Sequence, residues 1–166
     1  MALIVEDGSV VTGAESYVSV DDADTYHYVR LNTSWTALST VQKEAHLRNA
    51  TDYMTGQYES KWSGERVSNS QELDWPRALV YTRDAYIEST IVPKEIKNAC
   101  ALLALKSSEA ELLPDETQVV IKEKVDVIET TFSEFSTQTK QYKEIDSMLS
   151  RYLSRTGGNL QMIRTA

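Results

Sequence analysis

The sequence predicts a mainly α fold, a small bundle of about four helices with a small β-strand pair or hairpin and a flexible C-terminal arm. Helix-start signals at Ser19, Ser39 and Pro93 precede three of the four helical segments. Residues 117–132 are the one stretch rich in β-branched residues, which favours strands. The 166 residues, 41% of them hydrophobic, suffice for one packed domain. We expect residues 1–155 to form that domain and residues 156–166 to form the arm.

The first element is a short apolar strand at residues 3–5, followed by a helix. Ser19 is expected to cap this helix, which runs to about Leu31, with Asp22 at the capping-box position. Three acids then lie in the first turn, where the helix dipole favours negative charge and no metal is needed: Asp21, Asp22 and Asp24.

The second helix begins after Ser39, with Gln42 completing a capping box, and continues to about Tyr58. Its core face is predicted by helical spacing at Leu47, Ala50, Met54 and Tyr58. Residues 59–90 are rich in Gly, Ser and Asn, so we expect a long structured loop with one helical turn at residues 70–74.

The third helix is expected to start with Pro93 at its first position and to reach about Leu112. It is the most apolar element and is therefore expected to be central, burying Ile96, Ala99, Cys100, Leu103 and Leu105. Cys100 is the only cysteine, which excludes an internal disulfide and favours a buried structural thiol.

Residues 117–132 are expected to form a strand pair or one long bent strand with two apolar faces. One face holds Val119, Ile121, Val125 and Val127, and the other holds Val120, Ile128 and Phe132. A small helical domain covers one face, so the other is either buried in the same subunit or covered by a neighbouring one. We expect subunit contacts at Val119, Ile121, Val125, Val127, Ile128 and Phe132.

The last helix is predicted at about residues 141–155, ended by two glycines. It is expected to bury Tyr142, Ile145, Leu149, Tyr152 and Leu153. The tail beyond it combines apolar and basic residues without a helix cap, which is typical of an arm that orders on binding. The predicted docking residues are Arg151, Arg155, Leu160, Met162, Ile163 and Arg164.

Catalytic and metal-binding patterns are missing from the sequence. His27 and His46 are the only histidines, and no HExxH, Cys/His cluster, P-loop, GxGxxG or GxSxG motif is present. We therefore expect a non-enzyme without a cofactor or metal.

The loop between Tyr58 and Tyr86 interleaves aromatic and basic residues, which superficially matches a base-stacking platform for single-stranded nucleic acid. The acids in the same loop more than cancel its basic residues. We favour a structural role over stacking, with Trp62 and Trp75 anchoring the loop to the helices and Pro76 fixing its exit.

The net charge is −8, and its distribution is dipolar. The first 29 residues hold six acids and no Lys or Arg, so we expect no secretory signal, and the last twenty hold three arginines and no acid. No apolar run approaches the roughly 20 residues that span a membrane. A dipolar chain suits head-to-tail contact with itself or with an oppositely charged partner, although solvated faces explain it equally well.

Five stretches, in this order and spacing, resemble a family of tailed-phage neck proteins often labelled DnaT-like single-stranded-DNA-binding proteins. They are ALIVEDGSVVTGAESYVSVDDADTY at the N-terminus, ATDY at residues 50–53, WSGERVSNSQELDWPR at 62–77, VPKEIK at 92–97 and KEKVDV at 122–127. The resemblance implies a head-to-tail adaptor in the virion neck, made in the host cytoplasm.

In such a neck, a ring of about twelve copies lies under the portal protein. The C-terminal arm docks on the portal, a second neck or tail protein binds the far side, and genomic double-stranded DNA passes through the channel without specific binding. No membrane is involved. The alternatives are a DnaT-like replication protein that binds single-stranded DNA and an unrelated cytosolic helical interaction module. A free single-stranded-DNA binder is expected to carry a net basic groove, which the sequence does not predict.

Overall fold

Five α-helices and three two-stranded antiparallel ladders make up the computed structural model, which describes residues 2–113, 122–125, 128–131 and 142–154. The helices are α1 (Val20–Tyr28), α2 (Thr33–Thr36), α3 (Thr40–Tyr58), α4 (Lys94–Glu109) and α5 (Lys143–Leu149). The predicted mainly α class is confirmed. No helix of the described residues is long and apolar enough to cross a membrane.

Helix α4 is the centre of the core, as its apolar sequence predicts. It packs against α3 and α5 and also contacts α1 and α2. Ala99, Cys100 and Leu103 are fully buried on it. The Cys100 thiol lies 3.5 Å from the Thr51 hydroxyl, and burial raises the pKa of this thiol. A protonated, shielded sulfur fits the structural role expected for it.

The starts of α1 and α3 agree with their capping signals. The Ser19 hydroxyl accepts the backbone N–H of Asp22 at 3.1 Å. At α3, both halves of the capping box are formed between Ser39 and Gln42. All four residues predicted for the core face of α3 are buried: Leu47, Ala50, Met54 and Tyr58. The α3 helix ends at Tyr58, as expected.

The end of α1 was predicted wrongly. The helix stops at Tyr28 rather than near Leu31, and Leu31 adopts a left-handed backbone with φ 57°. A short unpredicted helix, α2, follows and buries Trp35. Asp24 also lies beyond the first turn, where its carboxylate accepts the Trp35 indole N–H at 2.6 Å and binds Lys43 at 2.8 Å. Its role is therefore to join three helices.

The third long helix is shorter than its sequence pattern predicts. Pro93 is the N-cap residue rather than the first helical residue, and the helix ends at Glu109 instead of Leu112. Ala110 leaves the helix in an extended conformation, yet Leu112 remains buried. The apolar pattern therefore predicted the burial of Leu112 correctly but not its conformation, because the helix ends before this residue.

The N-terminal strand is reduced to a single bridge between Val5 and Ser16. The buried Glu6 carboxylate organises the loop between them, since it accepts the backbone N–H groups of Gly8, Val10 and Val11 at 2.8–3.1 Å. A side chain thus takes the hydrogen bonds that a second strand would have supplied.

The predicted loop at residues 59–90 holds two small ladders. β1 (Glu65–Arg66) pairs with β2 (Arg77–Ala78), and β3 (Val80–Tyr81) pairs with β4 (Tyr86–Ile87). The predicted helical turn at residues 70–74 is not formed. The Gln71 amide instead binds the backbone of Ser68, Leu73 and Pro76, which holds this segment in bends.

The third ladder settles the choice between a strand pair and one bent strand. β5 (Lys122–Val125) and β6 (Ile128–Thr131) are antiparallel, with Val125 opposite Ile128. The subunit contacts expected for these two residues stay a prediction. Val119, Val120, Ile121, Val127 and Phe132 lie outside the described residues.

The last helix is also shorter than predicted. α5 covers Lys143–Leu149, and a 3₁₀ turn, Ser150–Tyr152, extends it. Ile145, Leu149 and Tyr152 are buried as expected, whereas Tyr142 and Leu153 are only partly buried. The 3₁₀ turn changes the angular spacing of side chains, so the helical pattern does not extend to residue 153.

Candidate functional site

The aromatic residues predicted to anchor the long loop form a buried stack against the 3₁₀ turn that follows α5. Trp62 and Trp75 are 4% and 0% exposed, and their rings meet edge-to-face with centroids 5.7 Å apart. Trp75 meets Tyr152 in the same way at 5.6 Å. The Trp62 indole N–H donates to Asp74 at 3.1 Å. Both indoles therefore face protein, and neither offers a ring surface to an incoming base.

The basic residue nearest this stack also has a structural role. The Arg77 guanidinium donates to the carbonyl oxygens of Ser63, Gly64 and Asp74 at 2.8–3.3 Å. Gly64 has φ 70°, and a Cβ there would lie 2.2 Å from the Ala78 carbonyl oxygen. The guanidinium and the glycine together hold residues 62–64 close to residues 74–78, and these two segments carry the two tryptophans.

Asp74 is the buried acid of this cluster, with 1% of its surface exposed. Burial raises the pKa of its carboxyl above the ordinary value, although the Trp62 N–H and nearby Arg66 act in the opposite direction. Its backbone N–H donates to the Tyr17 hydroxyl at 3.1 Å. Pro76 follows Trp75 through a cis peptide bond, where the chain leaves the cluster.

The accessible aromatic surface of the loop lies on the β3–β4 hairpin. Tyr81 and Tyr86 are cross-strand partners with ring centroids 5.2 Å apart, and they are 68% and 49% exposed. The hairpin and the end of α5 border a groove of about 820 Å³ that includes Arg83 and Arg151. Asp84 lines the same groove, so its basic character is only slight.

Arg151 is the one predicted docking residue whose side chain the structure describes. Its guanidinium is largely exposed and lies 3.4 Å from Glu95 on α4. The other predicted arm residues, Arg155, Leu160, Met162, Ile163 and Arg164, lie outside the described residues. The root of the arm is held firmly, because Leu153 bridges Trp62 and the Ser154 N–H donates to the Lys61 carbonyl at 2.7 Å.

Both histidines make internal hydrogen bonds. His27 Nε2 lies 3.0 Å from the Ala101 carbonyl and must donate to it, which leaves Nδ1 to accept from the Asn32 amide at 2.9 Å. His46 Nδ1 lies 2.9 Å from the Ser107 hydroxyl. Burial lowers the pKa of both imidazoles. Within the described ranges, no group of three or more His, Cys, Asp or Glu residues is arranged to hold a metal ion.

The structure also brings together residues that sequence reasoning missed. Arg30, beyond the end of α1, lines one pocket with Lys94 and Lys97 from the start of α4. Nothing in the local sequence indicates this, since the two segments are distant in the chain and meet only because α1 packs on α4.

A family model described as "Putative DnaT-like ssDNA binding protein" matches residues 1–165. No curated protein and no solved structure matches the chain.

Proposed function

We propose that this chain, which belongs to the family of DnaT-like proteins matched over residues 1–165, is a structural head-to-tail adaptor of a tailed phage. In this role it forms an oligomeric ring under the portal, extends the DNA channel and provides the platform for further neck or tail proteins. It is not an enzyme. The order and spacing of the five resembling stretches support the assignment to the virion neck.

The observation that carries this proposal is the burial of Trp62 and Trp75. Binding of single-stranded DNA without sequence preference depends on aromatic faces that are open to the bases and on a positively charged groove. The two indoles instead form an internal stack with Tyr152. The net charge of −8 opposes adhesion to phosphates and suits a channel through which DNA slides.

The C-terminal arm is the proposed portal-docking element. Arg151 provides basic charge at its root, and Arg155 and Arg164 continue that charge along the sequence. Burial of each large apolar side chain of the arm would contribute roughly 1.5–3 kcal/mol before ordering costs. The contacts of Leu153 and Ser154 with residues 61–62 lie before the arm, so its removal leaves them intact.

A chain truncated after Arg155 tests this role. We expect it to keep its far-UV circular dichroism and melting temperature but to fail to join portal-containing particles. A full-length control with Leu160, Met162 and Ile163 replaced by serine separates the apolar contacts from arm length, and we expect it to fail as well.

Infectious virions built with the truncated protein would show that the arm is not the docking element. Absence of the wild-type protein from purified virions, by mass spectrometry, would refute the adaptor function itself. Unfolding of the truncated chain would show that the arm belongs to the core.

Binding of single-stranded DNA is the second candidate function, favoured by the family description and by the exposed Tyr81–Tyr86 pair beside Arg83. The adaptor proposal predicts no appreciable binding of a labelled oligo(dT) at physiological salt, measured by fluorescence anisotropy. A micromolar or tighter, salt-sensitive Kd that is lost in Tyr81→Ala/Tyr86→Ala would favour the second function. Tyr28→Ala is the matched control, since Tyr28 is 73% exposed and lies on α1.

A further inference from the structure

Two pockets of similar size lie at the two ends of α4 and differ in charge. The pocket at its N-terminal end has a volume of about 340 Å³, and the pocket at its C-terminal end about 370 Å³. α4 contains 16 residues, so its ends are about 22 Å apart at the usual rise of an α-helix. The helix dipole adds partial positive charge at the first pocket and partial negative charge at the second.

The N-terminal pocket is basic at its rim and apolar at its floor. Arg30, Lys94 and Lys97 provide the positive charge. Arg30 is held in place, because its guanidinium lies 3.7 Å from the centre of the Tyr26 ring and donates to the Tyr26 carbonyl. The apolar lining comes from Val18, Val29 and Ala101.

Three basic side chains and one acid line this pocket, and Glu95 and Glu144 interact electrostatically with two of its residues, Lys94 and Tyr26. Asp22 lines the pocket, and Asp7 interacts electrostatically with Lys97. Val29 is 67% exposed, so an apolar surface open to solvent borders the three basic groups. This combination fits a ligand that carries both a carboxylate and an apolar side chain.

The C-terminal pocket has the complementary character. Asp52 from α3 and Glu111 line it, and Glu109 is exposed at the last turn of α4. Leu113, 43% exposed, lies at the same end. Two basic groups on neighbouring turns have contacts of their own, since the Lys106 ammonium lies 5.8 Å from the centre of the Tyr142 ring and His46 binds Ser107.

We propose that the acidic end of α4 in one copy docks into the basic pocket at the start of α4 in a second copy. Glu109 and Glu111 face Lys94 and Lys97, and Leu113 covers the apolar floor. The two surfaces lie at opposite ends of one rigid helix, so they cannot meet within a chain. Such a heterologous contact repeats from copy to copy and closes into a ring when its rotation allows.

This inference rests on the proposed adaptor function and names the lateral contact of its ring. A second copy suits the basic pocket better than a nucleic acid does. A phosphate group has no apolar surface that could pack on the apolar floor of the pocket, and the Asp22 carboxylate would repel it. Every copy also carries the complementary surface at the C-terminal end of α4, which has the opposite charge and the exposed Leu113.

Charge reversal tests the contact in solution. We expect Lys94→Glu/Lys97→Glu and Glu109→Lys/Glu111→Lys each to weaken self-association at least tenfold, measured by sedimentation velocity at low salt. The variant with all four changes restores opposite charges across the contact and is expected to recover most of the association. Glu59→Lys/Glu65→Lys is the control for Glu109→Lys/Glu111→Lys, because it makes the same charge change at two exposed acids away from α4.

Equal association of wild type and both reversal variants, or no recovery in the fourfold variant, would overturn the inference. A wild type that stays monomeric at all concentrations would overturn it too. Carbodiimide cross-linking of purified virions separates this failure from failure of the proposed function. Protein present in the neck without cross-links between the ends of α4 leaves the adaptor function standing and removes this contact, whereas its absence from virions removes the function.

Discussion

Replacement of Trp75 by alanine is expected to destabilise the isolated chain strongly. Trp75 is 0% exposed and meets Trp62 and Tyr152 edge-to-face at 5.7 and 5.6 Å. Truncation of a buried tryptophan costs about 3–5 kcal/mol, and each aromatic pair accounts for about 0.5–1.5 kcal/mol of the interaction. Each kcal/mol lost from the free energy of unfolding lowers the melting temperature of a domain of this size by about 2–4 °C. The melting temperature is therefore expected to fall by roughly 6–20 °C.

Urea denaturation followed by far-UV circular dichroism measures this loss. Among the described residues, the Trp75 indole N–H has no hydrogen-bond partner, so Trp75→Phe keeps ring contacts without breaking a hydrogen bond and is expected to cost much less. Tyr28→Ala is the exposed-aromatic control, because Tyr28 is 73% exposed, and it is expected to change stability by less than about 0.5 kcal/mol. A Trp75→Ala variant as stable as this control would refute the anchoring role.

Three further changes test the fold. Ser39→Ala removes half of a capping box and is expected to cost about 1 kcal/mol in urea denaturation, with Ser60→Ala as control. Gly64→Ala places a Cβ against the Ala78 carbonyl and is expected to lower the melting temperature, so an unchanged value would contradict the tight crossing. Burial raises the pKa of Asp74 above 3.8, so its stabilising contribution is present below about pH 3.8 and lost as pH rises through the raised value. As the pH rises from about 3.8 through the raised pKa of Asp74, the free energy of unfolding of the wild type should therefore fall relative to that of Asp74→Asn. Parallel pH profiles of the two proteins would contradict this.

Local sequence signals were sufficient to predict those structural features that depend only on residues close together in the chain. The capping box at Ser39 located the start of α3, and helical spacing identified its buried face. The β-branched stretch indicated β structure at residues 117–132, where the structure has the β5–β6 pair. These features depend on hydrogen bonds and periodicity within a few residues, which the chain carries wherever it folds.

Helix ends were predicted less well, because tertiary contacts decide them. α1 ends at Tyr28, and α2 follows at Thr33 and brings Trp35 to Asp24. The N-terminal strand became a loop held by the buried Glu6 carboxylate. A sequence pattern does not show which of two hydrogen-bond partners a backbone group will find in the folded chain.

The sequence by itself determined the mainly α class, the central position of α4, and the anchoring candidates Trp62 and Trp75, because composition and period follow directly from residue type. Only the tertiary structure decided that Arg30 meets Lys94 and Lys97 at one end of α4 and that Asp52 meets Glu111 at the other. Each grouping joins residues from separate segments, and its charge arises only when helix packing brings those segments together.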